Sequence, residues 1–192
     1  MEEQSAPLDP QIELAPTSWP KVIGILSIVW GGLGLTCIAC GIGGILLGPA
    51  LMPAEMRDGP LPPNMRVAPW QAGMFAVGFA LSVMLIVAGV QTLRRNMAGR
   101  TLHLAWAALS ILLTIVNIYF GWRQVIEVEQ WIRDNPTSPF AKGPQMSRSA
   151  SMTLVIGLNC IGIIWPAFLL IWFGAVKRTK ASFGAPPNAD YI

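Results

Sequence analysis

Cys37-Ile38-Ala39-Cys40 is the most chemically pointed pattern in the sequence. Two thiols three residues apart can form a redox couple that exchanges electrons with a substrate disulfide. Cys160 falls at a comparable depth to Cys40, eight residues after Met152 where Cys40 lies eight before Gly48. Two features weigh against redox work. Exchange with a substrate needs a second thiol pair, and the loops either side of these segments contain no cysteine. The pair also lies inside an apolar stretch and not at an aqueous helix N-terminus, the setting that activates a thiol. The reading is therefore of small residues that pack.

His103 is the lone histidine, and no second histidine or carboxylate stands at a metal-ligand spacing from it. It is expected to make an interhelical or interfacial hydrogen bond. Around it, His103, Ala107, Ser110, Thr114, Asn117 and Gly121 recur at alternating spacings of four and three. At 3.6 residues per turn these positions stay within about 40° of one line. Asn117 and Asn159 come out at depths only about 3 Å apart, which predicts a hydrogen bond between their helices. The expected polar interhelical face is thus His103, Ser110, Thr114, Asn117 and Asn159. The apolar segments carry no Asp, Glu, Lys or Arg in their interiors, which removes the usual material of proton relays, ion-coupled transport and charged filters. No catalytic residue, metal ligand or cofactor is expected.

These side chains sit in four apolar segments, expected to span a membrane over about 22–48, 70–93, 101–122 and 152–176. The first, Val22 to Gly48, has no charge and holds eight glycines. Glycine is a weak helix former, so this density points to close backbone approach in lipid. Gly32, Thr36, Cys40, Gly44 and Gly48 fall four apart, a ladder of small residues into which a neighbouring helix can settle, with a right-handed crossing favoured. Past Trp122 the third helix is expected to continue outside the membrane. Arg123 and Glu127, then Glu129 and Arg133, pair at i, i+4 there, and Pro136 sets the limit. Pro166 should kink the fourth span and free the carbonyl of Gly162. The proline-rich stretch 49–69 and residues 137–151 are expected to be irregular. Residues 1–19, acidic and proline-bearing, and 181–192 are expected to be disordered tails on one membrane domain, 20–180.

Hydrophobic residues make up 53% of the chain and charged ones 12%, half the share usual in soluble domains. Thirteen Lys and Arg against ten Asp and Glu form no long basic run, so no nucleic-acid partner is expected. Their placement follows membrane topology. Arg94, Arg95 and Arg100 crowd one tight turn, and Lys177, Arg178 and Lys180 follow the last span, marking both as cytoplasmic. The basic residues of the third loop, Arg123, Arg133, Lys142 and Arg148, are spread more thinly. The expectation is a cell (inner) membrane protein with both termini in the cytoplasm.

The glycine-rich opening span, the entry tryptophan Trp70 and the Gly89 to Arg95 run before a tight turn resemble a group of small bacterial four-span proteins of no assigned activity, over Pro20 to about Val176. The chain also looks distantly like the tetraspan proteins of animal membranes, without the large cysteine-bearing outer loop of tetraspanins. Neither resemblance carries an active site. The expected fold is all-α: a four-helix transmembrane bundle with a short extramembrane helical extension after the third span. The expected role is a non-catalytic structural, accessory or assembly component. Its partners would be the lipid bilayer and other membrane subunits or a second copy. The alternatives are a membrane thiol-disulfide oxidoreductase using Cys37 and Cys40, or a small channel or lipid-binding protein lined by the polar face of the third span.

Overall fold

The computed structural model describes residues 18–53, 59–66 and 68–175. Residues 1–17 of the expected N-terminal tail, the expected C-terminal tail and the basic run Lys177 to Lys180 lie outside the described residues; Trp19, expected in the tail, is instead the first residue of α1, with Pro20 suited to the first helical turn. Among the described residues five α-helices follow one another: α1 (Trp19–Leu51), α2 (Pro69–Leu93), α3 (Met97–Asp134), α4 (Pro139–Lys142) and α5 (Arg148–Ala175). Four of them, α1, α2, α3 and α5, are long and apolar enough to cross a bilayer. Among the described residues there is no strand. The protein is a multi-pass membrane protein with an all-helical, four-helix architecture, because in hydrocarbon only a helix satisfies its own backbone polar groups segment by segment.

The start of α1, the end of α2, the start of α3 and the end of α5 gather at one end of the bundle, here called the arginine end. The tight turn there is a Schellman motif: Asn96 N–H donates to Gln91 O at 2.9 Å and Arg95 N–H to Thr92 O at 3.0 Å. Arg95 takes the left-handed conformation, φ 54°, that glycine usually fills at this place. Asn96 then caps α3, its side chain accepting from Ala98 N–H at 3.0 Å. Arg100 reaches across to the last turn of α5, where Nε and Nη2 donate to Phe173 O at 3.0 and 2.9 Å. A helix end that lacks intrahelical donors is thereby closed by a neighbouring helix.

α1 packs along α2, α2 against α3, and α3 along α5. The α1–α2 seam is the tightest. A Cβ on Gly89 would stand 2.7 Å from Gly24 O, one on Gly31 would stand 2.9 Å from Ser82 O, and one on Gly41 would meet the Phe75 ring at 3.1 Å. Gly24, Gly31, Gly34, Ile38 and Gly41 thus face α2, at the alternating spacings of left-handed packing. The predicted ladder is a different row. A Cβ on Gly32, Gly44 or Gly48 would meet nothing within 4 Å, and Thr36 and Cys40 are exposed. A row spaced by four drifts about 40° round the axis at each step, so it leaves a neighbour that a row alternating three and four keeps facing.

α3 is 38 residues long, about 57 Å against a hydrocarbon core of about 30 Å, and ends at Asp134 as its sequence implies. The extension carries the i, i+4 pairs Arg123–Glu127 at 3.4 Å and Arg133–Glu129 at 3.7 Å. Two segments expected to be irregular are partly ordered against it. Pro63–Met65 forms a 3₁₀ turn, with proline fixing φ at its first position and Arg66 Nε donating to Leu61 O at 2.7 Å. Ser138 caps the single turn α4 by accepting from Phe140 N–H, and Phe140 packs edge-on against Trp131 at 6.5 Å. Ser147 in turn accepts from Ala150 N–H, so α5 begins at Arg148, four residues before the predicted start. α5 runs as one helix through Pro166, which is buried.

Candidate functional site

His103 stands where all four spanning helices converge. It takes one neighbour from each: Ser27 of α1, Thr92 of α2, and Phe173 of α5, with Gly99 on its own helix. Ser27, Thr92, His103 and Phe173 are all fully buried. His103 Nδ1 lies 2.8 Å from Gly99 O and 3.3 Å from Thr92 Oγ1, and Nε2 lies 2.8 Å from Ser27 Oγ. A carbonyl can only accept, so the network assigns the hydrogen to Nδ1 and lets the Ser27 hydroxyl donate to Nε2. The ring stacks on Phe173 at 4.9 Å. Close approach makes the network possible, since a Cβ on Gly99 would fall 2.6 Å from Thr92 Oγ1.

From this hub an aromatic column climbs the seam between α1 and α5. Trp19 meets Trp172 and Phe173 edge-on at 6.2 and 6.0 Å, Phe168 stacks on Trp172 at 5.6 Å and on Trp165 at 5.3 Å, and Trp165 faces Trp30 at 6.3 Å. α1 and α5 are joined by these rings and not by backbone approach. Beyond them the bundle opens into a cleft of about 480 Å³, bordered by Trp30, Cys37, Ser82, Trp106, Ser110 and Pro166. Among the described residues the buried side-chain polar atoms without a hydrogen-bond partner are the indole N–H groups of Trp165 and Trp172, both in this seam.

Along the predicted polar face of α3, burial falls with distance from the arginine end. His103 and Ala107 are fully buried, Ser110 and Thr114 are half-buried at the cleft, and Asn117 is exposed. Thr114 Oγ1 turns back to Ser110 O at 2.8 Å and Thr36 Oγ1 to Gly32 O at 3.0 Å, so these hydroxyls are satisfied within their own helices. The expected Asn117–Asn159 bond is not formed: Asn159 Nδ2 donates to Val155 O at 2.8 Å. The amide finds a carbonyl one turn back, which an isolated helix in lipid always offers. Ser27 and Thr92, which complete the hub, were not singled out by sequence. Both lie close to the depth of His103 near the charged ends of their helices, and depth matching about that histidine is the signal that would have found them.

Cys37, Cys40 and Cys160 are free thiols, all exposed on the bundle surface. Among the described residues no group of His, Cys, Asp and Glu gathers as a metal site would require. No protein-family profile matches the chain, and neither a curated protein nor a solved structure matches it.

Proposed function

We propose that the protein is a non-catalytic assembly or accessory component of a membrane complex, in which α1 receives a helix from another membrane subunit or a second copy of this chain. The supporting observation is that Gly32, Thr36, Cys40, Gly44 and Gly48 lie on α1 with no internal use, although glycine in a helix costs stability unless a neighbour exploits it. Four of the eight glycines of α1 serve the α2 seam, and three of the other four, Gly32, Gly44 and Gly48, belong to the outward row. The thiols are packing residues in this reading. Thiol exchange requires a partner disulfide to reach the sulfur, and Cys37, at the edge of the cleft, and Cys40 are both exposed within an apolar span.

Gly44→Leu is expected to leave the fold of the isolated chain intact and to reduce co-purification of its partner, or self-association, in mild detergent. Cys37→Ala with Cys40→Ala is expected to change neither. A double-alanine protein that accumulates normally but behaves as a null in cells, with mixed disulfides trapped on the wild type, reverses the reading in favour of the oxidoreductase.

The proposed location is the cell (inner) membrane with the arginine end in the cytoplasm. In a cysteine-free background, Thr137→Cys should react with an impermeant thiol reagent in intact cells and Met97→Cys should react only after lysis. Both side chains are exposed, so the opposite pattern inverts the topology.

A further inference from the structure

α3 and α5 touch at Gly121, where a Cβ would fall 2.9 Å from Val155, and a wedge opens beside this contact. The wedge between them, roofed by 144–147, encloses about 540 Å³. Its depth is set by α3. Twenty residues from Thr101 to Gly121 rise about 30 Å, the thickness of the hydrocarbon core, so Gly121 marks the core boundary and Gln124 to Glu129 stand in the headgroup layer. The lining at this depth is mixed. Val125, Val128 and Val155 supply apolar surface, and Gln124, Glu129 and Arg148 supply polar groups.

The charged groups of this lining are incompletely engaged. Glu129 Oε2 is 3.8 Å from Arg148 Nη1 and Oε1 is 3.7 Å from Arg133 Nη1, both too long for good hydrogen bonds. Half of the Arg148 side chain is exposed. A guanidinium with donors to spare and a carboxylate with lone pairs to spare, side by side at headgroup depth, complement a molecule bearing a phosphate and an ammonium a few ångströms apart. We infer that this wedge binds the headgroup of an amine-bearing zwitterionic phospholipid, the phosphate on Arg148 and the primary ammonium on Glu129, with the acyl chains leaving along Val155. A quaternary amine cannot donate to Glu129, which gives the site its selectivity.

The full chain in nanodiscs of equimolar dioleoyl phosphatidylethanolamine, phosphatidylcholine and phosphatidylglycerol, released and weighed by native mass spectrometry, reports the retained lipid. Wild type should retain phosphatidylethanolamine over phosphatidylcholine by about tenfold, the factor one charge-assisted contact supplies. Glu129→Gln should bring phosphatidylethanolamine down to the phosphatidylcholine level, and Arg148→Gln should lower both. Met146→Trp, which fills the wedge from its exposed roof without touching the charges, should do the same as Arg148→Gln. Equal retention of the three lipids by wild type, a preference for phosphatidylglycerol, or variants that match wild type would each overturn the site. Displacement of retained lipid by free phosphoethanolamine at equal concentration would assign it to a soluble ligand instead.

Discussion

His103→Ala is expected to lower the unfolding free energy by about 3 to 5 kcal/mol. The substitution removes a fully buried ring that stacks on Phe173 and leaves a cavity where four helices meet. It also deprives the Ser27 and Thr92 hydroxyls of their ring partner, whereas the Gly99 carbonyl keeps the backbone N–H of residue 103 within α3. Interhelical hydrogen bonds in membranes contribute only about 0.6 to 1.7 kcal/mol each, so most of the loss is packing. That apportionment has its own check. Ser27→Ala, which removes one bond and almost no volume, should cost about 1 kcal/mol. Denaturation of the purified protein in mixed micelles measures both. A His103→Ala protein within about 0.5 kcal/mol of wild type, or a Ser27→Ala loss equal to that of His103→Ala, would show that the hub does not hold the helices together.

Alanine substitutions at two glycines should move stability in opposite directions. In Gly89→Ala the new Cβ falls 2.7 Å from Gly24 O and 3.2 Å from Ile28 N, both backbone atoms, so α1 and α2 must part along their tightest seam. The cost should be about 1 to 3 kcal/mol through overpacking. In Gly32→Ala the new Cβ meets nothing within 4 Å, so the only effect is better helix propensity, a gain of at most about 1 kcal/mol. The same micelle denaturation reads both variants. A destabilised Gly32→Ala monomer would mean that the outward row packs within the chain after all. Gly89→Ala at or above wild-type stability would mean that the seam is looser than its backbone distances imply.

The number of long helices was legible because the bilayer leaves few options: length and lack of charge indicated four, and Pro136 indicated where α3 ends. The extension of α3 was legible for a related reason, since its Glu and Arg residues keep helical spacing beyond the last apolar turn. Side-chain partners were less legible. Two rows of small residues overlap on α1, and composition does not say which one meets α2. Only the alternation of three and four in Gly24, Gly31, Gly34, Ile38 and Gly41 separates them. Asn117 and Asn159 match in depth, but depth fixes one coordinate and the direction round each helix fixes the other. Phe140 and Ser138 made one turn of helix in a loop read as irregular, where capping by a single serine and one ring contact outweighed the proline-rich composition.

The long-range bonds at the arginine end also give the chain an order of construction. Ser27 and His103 are 76 residues apart and Arg100 and Phe173 are 73 apart, so each bond joins segments synthesised at well-separated times. When α3 enters the bilayer, Ser27 and Thr92 are already present and the polar half of the hub can close. The ring of His103 still has no Phe173 against it, and Arg100 has no helix end to cap. A chain interrupted between α3 and α5 would therefore present an uncovered histidine and an unengaged arginine at the membrane surface. Arrival of the last helix removes both together, so newly made protein carries its own mark of incompleteness until its final span is in place.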